Sequence, residues 1–322
     1  MKTNVILDIS NILYSNFYMA TKDKLDIILA KAHVAAFDSI NKYFREYHCD
    51  ETIVAFDGKF NWRKRYTRED PNRVTHKKYK GQRRQNLTAA ETAKLEQFDE
   101  HVVEFREILK NYTGLLVLHH ENLEADDLIA GYIQSHPNEK HLIVSQDRDY
   151  LQLLGQKHVM MLDPRTKAQL TLKEYYEDHE YFMFQKCIRG DQGDNVMSCF
   201  PRIRSTKIEA AYTDAFAYQA LMANEFEVEF LDDNGILQKK RYKTKEVYWE
   251  NRLLMDLSRQ PKVIRAMMTD AIERCKANRG TYDMFKFLKF CGRNDLQIIV
   301  QNISKYSKLL QGPINQEAAQ EA

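Results

Sequence analysis

The chain has 322 residues, 43% hydrophobic and 29% charged, with a formal net charge of +2, which is enough apolar content for a core in two domains or one large one. Five scattered cysteines without a C-x-x-C pair argue against a disulfide framework and a zinc ribbon. No apolar run approaches the ~20 residues of a membrane span and a strand begins almost at the N-terminus, so no signal peptide is expected and a reducing cytosol is the expected compartment.

Residues 4–8 read as a short apolar strand. Residues 25–47 show helical spacing, with Ile28, Ala32, Ala35, Ala36, Ser39 and Phe44 on one face. Residues 52–57 read as a second strand. The stretch 59–86 carries eleven Lys/Arg against two acids, so the remaining chain is net acidic. Trp62, Tyr66 and Tyr79 are interleaved in it, Pro71 breaks it, and without hydrophobic periodicity it is not expected to pack as core. A helix is predicted over 88–111, where Leu95, Phe98, Val102, Phe105 and Leu109 recur at spacings of three and four, opened by a Thr88–Glu91 capping box.

Gly114 stops that helix, and 115–118 read as a third strand. A helix over 124–135 opens with three carboxylates, followed by a strand at 141–145, a short helix at 147–154 and a strand at 158–162. Such alternation marks an α/β fold with a parallel sheet. Beyond about residue 170 the pattern turns mostly helical. Tyr175, Tyr176, Phe182 and Phe184 are expected to pack a junction. Helices are predicted near 205–224, 246–275 and 281–306, with a β-hairpin at 226–243 around Asp232-Asp233-Asn234-Gly235. The tail from Gln311 is polar and expected to fray.

Nine acids stand where strands or turns end: Asp8, Asp57, Glu124, Asp126, Asp127, Asp147, Asp149, Asp191 and Asp194. Carboxylates at the carboxyl ends of parallel strands converge on one crevice. So many cannot crowd together in ionised form without cations, and hard oxygen donors suit Mg²⁺ or Mn²⁺ rather than zinc. Taken singly, Asp8 and Asp57 read as helix caps or turn formers, and Asp126 and Asp127 as partners of a helix dipole. The joint pattern outweighs those readings. A calcium loop fails on spacing, because Gln152 or Val196 falls where Gly is needed and His158 or Arg202 where Glu is needed. No P-loop, G-x-G-x-x-G or G-x-S-x-G is present. His119 and His120 read as loop or core residues, and Cys187 and Cys199 as packing thiols.

An acidic pocket with a basic block suits a polyanion held by cations and cut with metals. In the basic block, Trp62, Tyr66 and Tyr79 are expected to stack on bases. Arg63, Arg65, Lys77, Lys78, Lys80, Arg83 and Arg84 are expected to follow phosphates.

In order along the chain, Asp8, Val54-Ala55-Phe56-Asp57-Gly58, Tyr79-Lys80-Gly81-Gln82-Arg83, Glu124-Ala125-Asp126-Asp127, Ser145-Gln146-Asp147-Arg148-Asp149 and Gly190-Asp191-Gln192-Gly193-Asp194-Asn195 resemble the structure-specific 5′-nuclease family. That family includes flap endonucleases and the 5′-nuclease domains of bacterial DNA polymerases. The match covers about residues 1–200, and the size and helical C-terminal half resemble the stand-alone ribonuclease H of T4-type phages. The resemblance implies a PIN-like parallel sheet flanked by helices over 1–185, with a helical arch at 59–100. A helical duplex-binding domain with a helix-turn-helix-like motif would follow over 186–310, then a flexible tail at 311–322.

By position, the resemblance also implies one metal near Asp8, Asp57, Glu124, Asp126 and Asp147. A second would lie nearer Asp149, Asp191 and Asp194, with Asp127 close to both. Lys80 and Arg83 would act on the scissile phosphate. Pro201 and Arg202 stand where the family has glycines that hold duplex phosphates and often a K⁺ ion, so amides approach phosphate less closely there. Arg202, Arg204 and Lys207 can meet phosphate directly instead. The implied activity is a Mg²⁺-dependent 5′→3′ exonuclease and flap endonuclease on DNA and RNA–DNA duplexes, removing RNA primers in the host cytoplasm. The expected partners are branched or nicked DNA, a single-strand-binding protein and a sliding clamp, with the enzyme a monomer. Two alternatives stand beside this: a PIN-like RNA endonuclease, and a non-catalytic DNA-binding module.

Overall fold

The computed structural model describes residues 1–83, 85, 87–172, 178–232 and 234–313. Arg84, Tyr175, Tyr176, Asp233 and most of the expected tail lie outside the described residues. The chain divides into two compact units. A sheet unit holds Met1–Lys59, Leu87–Thr171 and the chain from Val263 onward, and a second unit holds Phe60–Asn86 and Leu172–Lys262. The division therefore falls elsewhere than the expected boundary at 185/186.

The sheet unit is built on β1 (Thr3–Asp8), β2 (Glu51–Phe56), β3 (Leu116–His119), β4 (Lys140–Val144), β5 (Val159–Leu162) and the short edge strand β6 (Gln169–Leu170). Their order is β3-β2-β1-β4-β5-β6, parallel throughout except for β6. Leu7 lies level with Val54 on one side and Val144 on the other. Every residue of β2 is buried, as the continuous apolar run of a sheet covered on both faces requires. The order reverses beside β1, which places a topological switch point between β1 and β4.

Four helices between the strands cover the sheet: α1 (Ile9–Met19), α2 (Leu25–Glu46), α4 (Ala89–Tyr112) and α5 (Ala125–Ser135). The spacing in α4 does what it predicts: Leu95, Phe98, Val102, Phe105 and Leu109 are all buried, and Thr88 with Glu91 closes a capping box. Each such side chain contributes about 1.5–3 kcal/mol by leaving water.

Of the C-terminal helices α10 (Lys262–Ala277), α11 (Met284–Arg293), α12 (Gln297–Gln301) and α13 (Ile303–Gln311), the last three complete this same core, and α10 sets Met268 and Ile272 against Gly131 of α5. Phe287 packs on Phe37 with ring centroids 5.6 Å apart, and Phe290 stacks on Phe105 at 5.9 Å. Leu296, Ile299, Tyr306, Leu309 and Leu310 are buried in the same cluster.

The second unit contains α3 (Trp62–Glu69), α6 (His179–Arg189), α7 (Ser205–Thr213), α8 (Ala215–Met222), the hairpin β7 (Glu225–Leu231) and β8 (Leu237–Lys243), and α9 (Thr244–Met255). Two predicted helices are each broken in two. Asp214 ends α7 and caps α8 by accepting from the Ala217 amide at 2.7 Å. Pro261 stands between α9 and α10, where it cannot continue a helix.

The basic stretch corrects the expectation that it stays out of the core. Trp62, Arg63 and Tyr79 are buried. Arg63 is 1% exposed; its Nε donates to the Leu254 carbonyl at 2.6 Å and its guanidinium lies 4.7 Å from the Trp62 ring. Tyr79 is part of the cluster with Phe184, Cys187, Ile188, Tyr248 and Leu254. Cys187 and Cys199 are buried packing thiols, and burial pushes Cys187 up to about 12. Among the described residues no helix is long and apolar enough to cross a membrane.

Candidate metal centre and nucleic-acid face

The strand ends of the sheet unit deliver the acids. Asp8 closes β1 and caps α1, its Oδ1 accepting from the Asn11 amide at 2.8 Å. Asp57 follows β2; its amide donates to Ser10 Oγ at 2.9 Å, and its Oδ1 accepts from the Ala125 amide at 2.8 Å. That bond ties the end of β2 to the first turn of α5. Gly58 makes the approach possible: its amide donates to the Leu123 carbonyl at 2.8 Å, and a Cβ there would meet the His120 carbonyl oxygen at 2.1 Å.

At the start of α5, Glu124 and Asp127 form a capping box, with the Glu124 amide donating to Asp127 Oδ2 at 3.2 Å. Glu124, Asp126 and Asp127 bring carboxylate oxygens within 4.8 Å of one another. Beyond β4, Asp147 accepts from the Asp149 amide at 2.9 Å, and its own amide donates to Ser145 Oγ at 3.0 Å. Asp8 and Asp147 thus flank the switch point.

Asp8 reports the crowding. Its carboxyl is raised to about 8, first by burial, then by the charge of Asp57, with Asp147 adding to it. The Tyr150 hydroxyl donates to Asp8 Oδ2 at 2.9 Å. Tyr150 is itself buried and its phenol is held well above the ordinary range, by burial and then by Asp8, Asp126 and Asp147. Without a cation, then, Asp8 keeps its proton near neutral pH. An all-oxygen donor set that repels itself fits a hard divalent ion. Sequence reasoning missed Tyr150 and Ser10; the only signals were their places directly after Asp149 and close after Asp8.

In the second unit, Gly190 has φ 68°, and a Cβ there would meet the Val196 carbonyl oxygen at 2.5 Å. The loop it opens is closed by paired backbone bonds between Asp191 and Val196, at 3.1 and 2.7 Å. Asp191 Oδ1 accepts from the Asp194 amide at 3.1 Å, and Lys186 Nζ lies 3.9 Å from Asp191 Oδ2. Asp194 receives three groups of the basic stretch. Tyr79 donates its hydroxyl at 2.7 Å, Arg83 Nη2 bonds at 2.6 Å, and Lys80 Nζ lies 3.7 Å away. The Lys80 amide also donates to the Asp194 carbonyl at 2.8 Å.

The other basic residues differ in access. Arg65 and Arg83 are exposed, Tyr66, Lys77, Lys78 and Lys80 are half-buried, and Trp62, Arg63 and Tyr79 are buried. Arg202, Arg204 and Lys207 are exposed around the N-terminal turn of α7, where amides and cations together suit phosphate. Arg202 holds φ 59°, so the backbone keeps a glycine-type conformation although the residue is arginine.

A family model described as 5′-3′ exonuclease, N-terminal resolvase-like domain, matches residues 3–182. The chain belongs to this 5′-3′ exonuclease family. It is accordingly a phosphodiesterase, and the acidic cluster of this exonuclease is consistent with a metal site. No curated protein matches it. Solved structures similar to this exonuclease come from bacteriophage T5. One is a T5 protein co-crystallised with metal ions, 21% identical over 92% of this chain and 99% of that one, with a TM-score of 0.57. Another is the T5 flap endonuclease in a pseudo-enzyme-product complex with DNA and metal ions, 19% identical over 93% and 100%, with a TM-score of 0.58. A third is the T5 5′-exonuclease with divalent zinc bound, 22% identical over 90% and 98%, with a TM-score of 0.56. At these identities the likeness is one of fold.

Proposed function

We propose that this exonuclease is a Mg²⁺-dependent 5′→3′ exonuclease and flap endonuclease acting on DNA and RNA–DNA duplexes, with Mn²⁺ able to substitute. The observation that carries the reading is Asp8, a buried carboxyl at a switch point whose neighbours Asp57 and Asp147 push its proton affinity up. Asp8, Asp57, Glu124, Asp126 and Asp147 would hold one ion, with Asp127 and Asp149 beside them. A bound divalent ion would activate water and stabilise charge on the attacking and leaving oxygens of an in-line displacement. The T5 proteins support the choice of substrate, since one is complexed with DNA and metal ions.

The chain's own residues supply the rest. Tyr150 and the Asn11 amide fix the Asp8 carboxylate from one side, leaving its charge to face the other acids. Lys80 and Arg83 exchange Asp194 for the scissile phosphate when substrate enters. Arg202, Arg204 and Lys207 hold duplex phosphates, and Asp191 with Asp194 forms the second acidic site. The setting is primer removal during lagging-strand synthesis, with single-strand-binding protein and sliding clamp as the associated partners.

The test uses 5′-labelled flap, nicked and RNA-primed duplexes, with Mg²⁺ and with chelator. Cleavage from the 5′ end that stops in chelator is expected. Cleavage that persists in chelator, or none on any of these substrates, overturns the reading.

A further inference from the structure

The second unit contains a cavity of about 710 Å³ that none of the acids enumerated above explains. One wall is a face of α9, where Glu246, Trp249, Glu250 and Leu253 recur at helical spacing and all line it. The opposite face of α9, with Val247, Tyr248, Asn251 and Leu254, is buried in the unit's core. This helix therefore carries large side chains on both faces, and on the cavity side Trp249 is exposed while Glu250 is buried. Tyr66 from α3 and Met222 from α8 line it as well.

The aromatic groups are set in place. The Tyr66 hydroxyl donates to Glu250 Oε1 at 3.3 Å. Glu250 is 4% exposed, and its two oxygens also accept from the Val74 and Thr75 amides at 2.5 and 2.8 Å. This thrice-bonded carboxylate anchors the tyrosine. Trp249 is 45% exposed, and its ring stands edge-on to Tyr248 with centroids 5.3 Å apart. Two ammonium groups complete the lining. Lys243 lies 3.5 Å from Glu246 in a pair exposed at both ends, which holds it weakly. Lys245, also lining the cavity, has no carboxylate within 4.0 Å among the described residues.

We infer that this cavity receives one unpaired nucleotide, with its base against Trp249 and Tyr66 and its phosphate at Lys243 and Lys245. A flat aromatic ligand with an attached anion matches both halves of the lining, since every base has a π-face for an aromatic wall and a phosphate for an ammonium. The volume lies within the roughly 300–1,000 Å³ of small-molecule sites. The assignment rests on the nucleic-acid reading above, and it concerns a strand that is bound without being cut.

Fluorescence gives the test, because Trp249 is exposed while the second tryptophan, Trp62, is only 8% exposed. The full chain is titrated in chelator with a deoxynucleoside monophosphate, a blunt duplex, and the same duplex with a short single-stranded tail. The tail should quench Trp249 and raise affinity on the order of tenfold over the blunt end. Trp249→Ala and, independently, Lys245→Glu should remove most of that gain. Quenching by the monophosphate alone identifies a free nucleotide as the occupant, and quenching by the tail identifies a strand end. Tailed and blunt duplexes bound alike by the wild type, with no quenching by any ligand, would overturn the site. So would a tail advantage that survives in both variants. Because nothing is cut in chelator, a protein that binds the tail but never cleaves sinks the proposed function and leaves this site standing.

Discussion

Around Asp8 the acting charges are Asp57 and Asp147; around Asp194 they are Lys80 and Arg83. Both regions present carboxylates from tight turns, yet in one the acids act on one another and in the other basic side chains gather on an acid. The first group repels itself and keeps a proton on Asp8. The second has Tyr79, Lys80 and Arg83 gathered on a single carboxylate. Acidic residues of the same sequence style thus differ in what they need from outside. The strand-end cluster pushes up the proton affinity of Asp8, whereas in the Gly190–Asn195 loop Asp194 holds Tyr79, Lys80 and Arg83.

The largest expected effect separates the two regions. Asp147→Asn or Asp126→Asn should reduce single-turnover cleavage in Mg²⁺ by about a thousandfold or more, about 4 kcal/mol of transition-state stabilisation, while flap binding persists. A wild-type rate from either variant would remove the metal assignment. Next, Lys80→Ala should slow cleavage by about ten- to a hundredfold and weaken single-strand capture, since a charge that meets phosphate is lost. An unchanged rate would return the basic stretch to a merely solvated face. Asp194→Asn should cost less, under about tenfold, with no change in the Mg²⁺ concentration for half-maximal rate. If that concentration rises sharply, Asp194 belongs with the metal ligands and the contrast drawn here collapses.

The smallest effects are read in stability. Asp8 binds its proton more tightly folded than unfolded, with a folded value of about 8 against an ordinary 3.8. The stability this lends the metal-free protein is complete below about pH 4 and is lost as pH rises through about 8. Mg²⁺ competes with that proton, so its gain in Tm should be larger at pH 8 than at pH 5. Equal gains would mean that Asp8 is not part of the metal centre. Asp8→Asn should raise the metal-free Tm at pH 8 by several degrees and abolish the Mg²⁺ gain, as scanning calorimetry can record.

Much of this was legible in the sequence, for local reasons. An apolar run that ends in an acid writes a buried strand and its functional end together, as at Ile53–Asp57. Thr88 and Glu91 announce α4 because a capping box is contained in four consecutive residues. The rest depended on partners far away in the chain. Arg63 looked like a surface cation because its acceptor, the Leu254 carbonyl, is 191 residues distant. Trp62 and Tyr79 looked like stacking platforms for the same reason. Trp249 drew no notice, since nothing in a local window tells that it stays exposed while Tyr248 beside it is buried.

The return of α10–α13 to the sheet has a practical corollary for expressing this protein in pieces. The family match ends at residue 182, yet Phe37 and Phe105 rest on Phe287 and Phe290. A gene fragment cut at the end of the match would shed those two rings together with Tyr306 and Leu310 from the core. It would also keep the 60–86 segment while losing residues 183–262 of the segment it packs with. Neither unit is one continuous stretch of chain, so a conventional truncation cuts through the packing of both. Single substitutions in the full-length chain are therefore the proper instrument for dissecting it.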